Sequence, residues 1–441
     1  MKKKMKLGAF LPAPGHHVAA WRHPNAKADG GEDFEYYLKI TKEAERGKMD
    51  MIFLSDGNGV RTTYKNEEEL SRQGRMVHFE PLTLMSALAV NTKNIGLAAT
   101  ASTTYNEPFH IARKFSSLDH LSKGRAAWNV VTSVTDAEAQ NFNLDSQPAH
   151  ADRYARANEF MTVVNGLWNS WEDDAFIYDK ITGKYFNPQK LHILNHKGKH
   201  FSVKGPLNIS RSPQGKPVII QAGSSEAGKE FAAKNAEVIF TAQVDIDKAK
   251  GFYKDIKEKA MEYGRDPDQL LIMPGLFLVI GKTKQEALQK YEDLQELIDT
   301  QVALGLLEGL LGDVDLSDLK LSDTLPPLPK TEGSKSRQSL IYDEAYNKKL
   351  TLKELLLKVS GGRGHKMIIG SPKDIADEME KWVLNQACDG FNIMPSYLPD
   401  GLEDFVNLVI PELQERELFK KEYIGNTLRE NLGFDRPDYI I

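Results

Sequence analysis

The stretch PVIIQAGSSEAGKEFAAKNAE, Pro217 to Glu237, contains Gly223-Ser-Ser-Glu-Ala-Gly228-Lys229-Glu230, a phosphate-binding loop at every position but the last. In a nucleotide-hydrolysing loop the lysine is followed by Ser or Thr, whose hydroxyl coordinates Mg²⁺. Here Glu230 stands in that place, and a carboxylate beside a triphosphate repels it, so the pattern argues against an ATPase or GTPase. The flanks of the loop suggest another way of holding an anion. PVIIQAG reads as a strand ending at Gly223 and SEAGKEFAAKNAE as a helix, which puts Ser224 and Ser225 at the helix N-terminus. Unpaired backbone N–H groups, the positive end of the helix dipole and two hydroxyls suit a phosphate there. Plain N-capping is the alternative reading of the same serines.

Other polar residues collect after apolar runs. His16 and His17, then WRHP, follow the first; Asp56, Asn58 and Arg61 follow the second; Thr103, Thr104 and Tyr105 follow the third; Asn129 lies within the fourth, AAWNVVTS. Taken singly, Asp56 reads equally as a cap, Asn129 as a partner for backbone groups, and a loop histidine as solvated. Five consecutive runs ending in polar groups is harder to explain by turn chemistry alone. In HADRYARANEF, His150 and Tyr154 are four apart and share a helix face, with Arg153 adjacent. An imidazole and a phenol so aligned bond a phosphate or a ring carbonyl, or the phenol packs in the core. No H-E-x-x-H, G-x-S-x-G or complete G-x-G-x-x-G occurs, and the histidines have no metal-binding spacing, so no metal site is expected.

The elements that must position these groups are repeated βα units. Candidate strands are Lys6–Phe10, Met51–Ser55, Gly96–Ser102, Ala126–Thr132, Pro217–Ala222, Val238–Ala242, Leu271–Ile280 and Phe391–Pro395, with helical periodicity between almost all of them. Eight near-continuously apolar strands predict a (β/α)8 TIM barrel of the α/β class, and its chemistry belongs at the C-terminal ends of the strands. Residues 173–212 and 300–360 break the rhythm and are expected to be insertions beside the barrel mouth. LPPLPKTEGSKSRQS within the second reads as a mobile loop. One domain spanning residues 1–441 is expected.

Composition bounds the partners. The chain is 41% hydrophobic and 27% charged, with a formal net charge of -5 and both signs interleaved, so neither a nucleic-acid nor a membrane surface is expected. No apolar window reaches the roughly 18 residues of a membrane span. The single Cys388 rules out an internal disulfide and fits a reducing, cytoplasmic setting.

Together, WRHP, FLSD, GRAAWNVVTS, HADRYARANEF, LWNSWEDDA, QAGSSEAGKEFAAKNAE and DGFNIMP closely resemble the nitrilotriacetate monooxygenase component A group of the bacterial-luciferase-like flavin enzymes. The resemblance runs over nearly the whole chain. It implies a barrel binding FMN at its C-terminal mouth and an FMN-dependent monooxygenase, which takes reduced FMN from a separate NAD(P)H-dependent flavin reductase and oxygenates a small amine or sulfur compound with O₂. Carried over by position, Asp56 and Thr103 contact the flavin ring and Asn129 lies beside it. His150, Tyr154, Ser224 and Ser225 hold the ribityl chain and phosphate. His16 or His17 is the candidate catalytic group that steadies the oxygen chemistry. The cover that excludes water is expected from residues 173–212 and 300–360, and a homo-oligomer, dimer or tetramer, is expected by analogy. Some members carry a Cys after the first strand where this chain has LPAPGHH, so that role does not transfer. Arg61, Lys65 and Arg72 are candidates to meet an anionic substrate, which suggests a small carboxylated amine or sulfur compound, or they form a solvated charged loop. A flavin- or deazaflavin-linked dehydrogenase, or a non-catalytic flavin-binding protein, is the competing reading on the same barrel.

Overall fold

The computed structural model describes residues 4–60, 67–329 and 335–439. Its framework is a parallel sheet of strands numbered β1 (Lys6–Phe10), β2 (Met51–Leu54), β3 (Gly96–Ser102), β4 (Ala126–Val131), β5 (Val218–Gln221), β6 (Val238–Thr241), β7 (Leu271–Ile280), β8 (Lys366–Gly370) and β9 (Gly390–Pro395). β1 to β7 pair in chain order, and β9 pairs with both β7 and β1, which closes an eight-stranded barrel. Helices such as Phe34–Arg46, Pro108–Leu121 and Ile246–Glu262 fill the connections. Every residue of β2, β3, β5 and β7 is buried, as strands with a packed interior on one face and helices on the other must be. Along β2, Met51 and Phe53 join Ala98, Val218, Ile220 and Met273 inside the barrel, while Ile52 and Leu54 pack under the helices.

The eight strands expected from the sequence are the eight barrel strands, with ends displaced by at most one residue. β8 is additional. Its KMIIG run is short and follows GGRGH, so periodicity alone does not separate it from a loop. β7 explains it: Leu271 to Pro274 pair with β6, and Leu276 to Ile280 pair with β8, which takes up the edge that the shorter β6 vacates.

The N-terminal end of the barrel is shut. Leu428 and Leu432 of the short helix Leu428–Leu432 pack with Phe434 against the inward strand residues. Arg429 Nη1 lies 2.7 Å from the buried Glu237, and the buried Asp50 pairs with Lys420 while accepting the N–H of Leu7 at 2.7 Å. Open space is left to the C-terminal mouth.

Residues 173–212 form two short antiparallel hairpins, Phe176–Asp179 with Lys184–Phe186 and His196–Lys197 with Ser202–Val203. They are strapped to the barrel's outer layer. Glu159 bonds His196 and the N–H groups of His200 and Phe201, and Asp173 pairs with Arg211 and Arg436. They contribute no residue to the mouth cavities described below, which corrects the expectation that they cover the site. In the second segment, helices Thr300–Leu310, Lys335–Lys348 and Leu352–Gly362 share a core of Leu307, Leu311, Ile341 and Leu355. This segment does reach the mouth, through Leu306, Leu310, Arg337 and Leu340. Of the expected loop, residues 330–334 lie outside the described residues, and KSRQS begins a helix.

Candidate active site

β5 delivers the chain to a turn that Ser225 caps: its Oγ accepts the N–H of Gly228 at 3.2 Å, at the start of helix Glu226–Asn235. Gly223 and Gly228 face each other so closely that a Cβ on either would lie 3.0 Å from the other's Cα and 3.0–3.1 Å from the Tyr154 hydroxyl. Tyr154 comes from the first turns of helix His150–Trp168, its ring 4.8 Å from that of His150, as the four-residue spacing requires. Burial raises its phenol pKa and keeps it a donor. These groups line a cavity of about 290 Å³ together with Arg153, Gln221 and the backbone after β4.

Lys229 turns out of this cavity. Its Nζ lies 2.6 Å from Asp255 and 2.5 Å from Glu226, and Glu230 bonds the Tyr263 hydroxyl outside the site. The loop that resembles a nucleotide site therefore turns neither its lysine nor its last residue toward this cavity.

The wall between β2 and β4 is built by Glu138, part of a Thr135-x-x-Glu138 capping box. Its carboxylate accepts Ser133 Oγ at 2.8 Å, Thr135 Oγ1 and Val134 N at 3.1 Å, Thr135 N at 3.2 Å and Asn58 N at 3.3 Å. Asp56, Gly57 and Gly59 on the β2 side also line a second cavity of about 630 Å³, so the two spaces adjoin. Asp56 Oδ1 bonds His78 Nε2 at 3.2 Å, and that bond raises the His78 pKa.

Beneath the mouth, Phe10, Phe53 and Phe240 form an aromatic floor with ring centroids 4.9–5.7 Å apart. His16 meets the edge of Phe10 at 4.5 Å and bonds the Phe10 carbonyl through Nε2 at 2.9 Å; His365 stacks on Phe240 at 5.2 Å. Both histidines, and His17 beside them, are buried. Burial, reinforced by Arg75 and Arg363, holds His16 well below the usual imidazole range. Burial with Arg363 and then Arg75 brings His17 to about 3, and burial with Arg337 depresses His365.

Asp56, His150, Tyr154, Ser224 and Ser225 thus converge on one cavity. Thr103 and Asn129 lie behind it: Thr103 donates to the Val131 carbonyl through both N–H and Oγ1, at 2.9 and 3.2 Å. Asn129 Nδ2 donates to Thr100 Oγ1 at 2.8 Å, leaving Oδ1 buried without a partner. Neither His16 nor His17 is among the lining residues of the mouth cavities. Arg72 is engaged on the surface by Glu68 and Asp299, each at 2.8 Å, while Arg61 and Lys65 lie outside the described residues. Arg75, Glu138 and Arg363 were not singled out from the sequence. For Glu138 the capping-box spacing was a readable signal; Arg75 and Arg363 have none. Among the described residues no group of three or more His, Cys, Asp or Glu could hold a metal ion, and no helix is long and apolar enough to cross a membrane.

The luciferase-like monooxygenase family matches residues 7–385. The chain is 52% identical over 438 residues to N-acetyl-S-(2-succino)cysteine monooxygenase of Bacillus subtilis (strain 168), covering 99% of this chain and 98% of that one. It is 47% identical over 441 residues to nitrilotriacetate monooxygenase component A of Aminobacter aminovorans, covering 99% and 97%. Among solved structures, a riboflavin lyase with modified FMN and riboflavin superposes with a TM-score of 0.88 at 32% identity, over 98% of this chain and 97% of that one. A closed parallel barrel with one open mouth, full-length likeness to two monooxygenases and the family match lead to one conclusion: the chain belongs to the luciferase-like monooxygenase family.

Proposed function

We propose that the protein is the oxygenase of a two-component system: it binds reduced FMN made by a separate NAD(P)H-dependent flavin reductase and uses O₂ to oxygenate a small amine or sulfur compound. The observation that carries this reading is the turn at Gly223 and Gly228, where the missing Cβ atoms let two backbones and the Tyr154 hydroxyl close together at a helix N-terminus that faces a cavity. The residues present suit the cofactor. Ser224, Ser225, Tyr154 and His150, with Arg153, supply donors of phosphate type at a helix N-terminus. Asp56 stands where this cavity meets the larger one, in place for a ring edge, and the unpartnered Asn129 Oδ1 is an acceptor suited to a ring N–H. Thr103 holds the β3 and β4 ends together behind that ring.

Bound reduced flavin supplies the two electrons that activate O₂. The chain's part is to bind, orient and keep water out. The aromatic floor and Leu306 and Leu310 give the mouth apolar surfaces. His16 and His17, neutral at physiological pH, support the site as hydrogen-bonding groups without adding charge. As one domain and a homo-oligomer, the chain works in the cytoplasm, where the buried Cys388 stays a thiol.

The test is an anaerobic titration with oxidised and reduced FMN, followed by turnover under isotopically labelled O₂ with N-acetyl-S-(2-succino)cysteine and nitrilotriacetate, the compounds named in the two relatives. Tighter binding of the reduced form and one labelled oxygen in a product are expected. Binding of oxidised flavin alone, with no labelled product, would favour the dehydrogenase.

A further inference from the structure

Among the described residues, the larger cavity is lined by one imidazole, His78; the carboxylate that holds it, Asp56, lines the smaller cavity as well. His78 Nε2 lies 3.2 Å from Asp56 Oδ1. An ionised carboxylate only accepts, so Nε2 keeps its hydrogen and the second proton comes and goes at Nδ1. Nδ1 has no hydrogen-bond partner among the described residues. One nitrogen is thus held while the other is free to trade a proton, which is how a carboxylate-steered imidazole serves as an acid or a base.

The chain around His78 is pinned on both sides. Phe79 N donates to the Gly31 carbonyl at 3.1 Å, and a Cβ on Gly31 would come within 2.3 Å of the Val77 carbonyl oxygen, so residues 77–79 lie close against that glycine. Glu80 then caps helix Pro81–Asn91, accepting Leu82 N at 2.9 Å and Thr83 N at 2.7 Å. In the segment beneath, Lys27 pairs with Asp29 and Asp33 at 3.0 and 3.1 Å, and Glu32 is exposed. Across the cavity, Asp299 pairs with Arg72 at 2.8 Å, Glu308 accepts Leu316 N at 2.8 Å, and Glu138 is bound in its capping box. Arg75, Arg363 and Tyr37 share the cavity, with Arg75 turned to the His16 carbonyl. Asp56 is the charge that acts on His78, and its hydrogen bond lifts the imidazole above its ordinary value against the opposing pull of burial. Among the described residues no other histidine is so placed. Burial keeps His16, His17 and His365 neutral, and none of the three lines a mouth cavity; His150 lines only the smaller one. Tyr37, on the same wall, is a weaker acid than usual because it is buried.

We propose that His78, steered by Asp56, is the proton donor of the oxygenation, handing the hydrogen on Nδ1 to the oxygen atom that leaves as water. This role rests on the monooxygenase reading above. When one atom of O₂ enters the substrate, the other departs as water, which takes the two electrons and two protons that reduced FMN gives up. One of those protons passes through His78: the leaving oxygen takes it from Nδ1, and the proton released on flavin oxidation restores it. O₂, reduced FMN and the substrate close the balance without a further reductant or acid. Asp56 orients the ring and stabilises its cation, so in this step it is a positioning residue.

The first readout needs no flavin. Protein labelled at its histidines is titrated by NMR, with His78 identified as the resonance missing in His78→Gln. It should lose its proton above about pH 6.5, the ordinary imidazole value, and in Asp56→Asn the midpoint should fall by about one unit. The second readout uses the complex with reduced FMN in single turnover under labelled O₂, with N-acetyl-S-(2-succino)cysteine and with nitrilotriacetate, from about pH 6 to 9. Wild-type product formation should fall about tenfold per pH unit above the NMR midpoint. His78→Gln should form product at least about tenfold more slowly near pH 7, release hydrogen peroxide in its place and show no such fall, with reduced-FMN affinity within about threefold of wild type. Imidazole added to His78→Ala should recover part of the rate; a merely structural role predicts neither a flat profile nor rescue. An NMR midpoint below the ordinary value, a midpoint unmoved in Asp56→Asn, a His78 variant that keeps the wild-type profile, or one that loses reduced FMN overturns the role. If neither His78 variant folds, Asp56→Asn identifies the resonance by its shift and the wild-type profile decides: a fall at that midpoint supports the role, and a flat profile or a fall elsewhere overturns it. Wild type that turns over neither compound removes the monooxygenase reading, and this step with it, whatever the histidine titration shows.

Discussion

Lys229 Nζ lies 2.6 Å from Asp255 and 2.5 Å from Glu226, so the lysine that completes the phosphate-loop pattern in the sequence is committed to two carboxylates. Lys229→Met should leave reduced-FMN affinity within about threefold and, as the loss of a partly exposed ion pair, cost about 1 kcal/mol or less of stability. Fluorescence titration and urea unfolding measure the two. A drop of FMN affinity beyond tenfold would show that the lysine swings to the phosphate.

Gly228 makes the opposite prediction. A Cβ there meets the Gly223 backbone and the Tyr154 hydroxyl, both at 3.0 Å, so Gly228→Ala must open the turn or push the tyrosine aside. We expect FMN affinity to fall by at least about tenfold, roughly 1.4 kcal/mol, with riboflavin, which lacks the phosphate, affected less. An equal loss for both flavins would locate the damage in the ring site.

The loop after β4 should depend on the charge of Glu138. Glu138→Gln keeps the shape but replaces one acceptor oxygen with a donor that faces N–H and O–H groups, including Ser133 Oγ and Val134 N. The expected cost is about 1–3 kcal/mol, with faster amide exchange at Asn58, Val134 and Thr135. Unchanged exchange at these three amides would mean the loop is held by other contacts.

Acid should destabilise the barrel mouth early. His16, His17 and His365 are neutral when folded but take up a proton in the unfolded chain as pH drops past about 6.5. The unfolded state then binds more protons, so stability falls with falling pH, by about 1.4 kcal/mol per unit for each histidine. For His17 the fall continues to its folded pKa, about 3. Urea midpoints between pH 7 and 5 should decline more steeply in wild type than in His17→Asn; parallel slopes would argue that His17 is protonated in the folded protein.

Much of the site was legible because local chemistry fixed it. Gly223-Ser-Ser-Glu-Ala-Gly228 carries its own strand end, cap and helix start, and the His150 and Tyr154 spacing requires a shared face; both meet in one cavity. Thr103 and Asn129 were equally visible as polar residues at strand ends, yet strand pleat and neighbouring carbonyls turn their groups to Val131 and Thr100. Apolar runs exposed eight strands, but β8 is a strand only because β7 outlasts β6.

The sequence by itself determined the barrel, its open C-terminal mouth and the Ser225-capped turn between Gly223 and Gly228, since hydrophobic period, capping residues and glycine freedom act over a few residues. Only the tertiary structure decided where the charges go. Lys229 was drawn away from the Tyr154 cavity by Asp255, from the next βα unit, and Arg72 was taken by Asp299. Arg75 and Arg363, 288 positions apart in number, were brought to one cavity by barrel closure, where Arg75 donates to the His16 carbonyl. Charge pairing depends on distance through space and on the polarity between the groups, and neither is written in spacing along the chain.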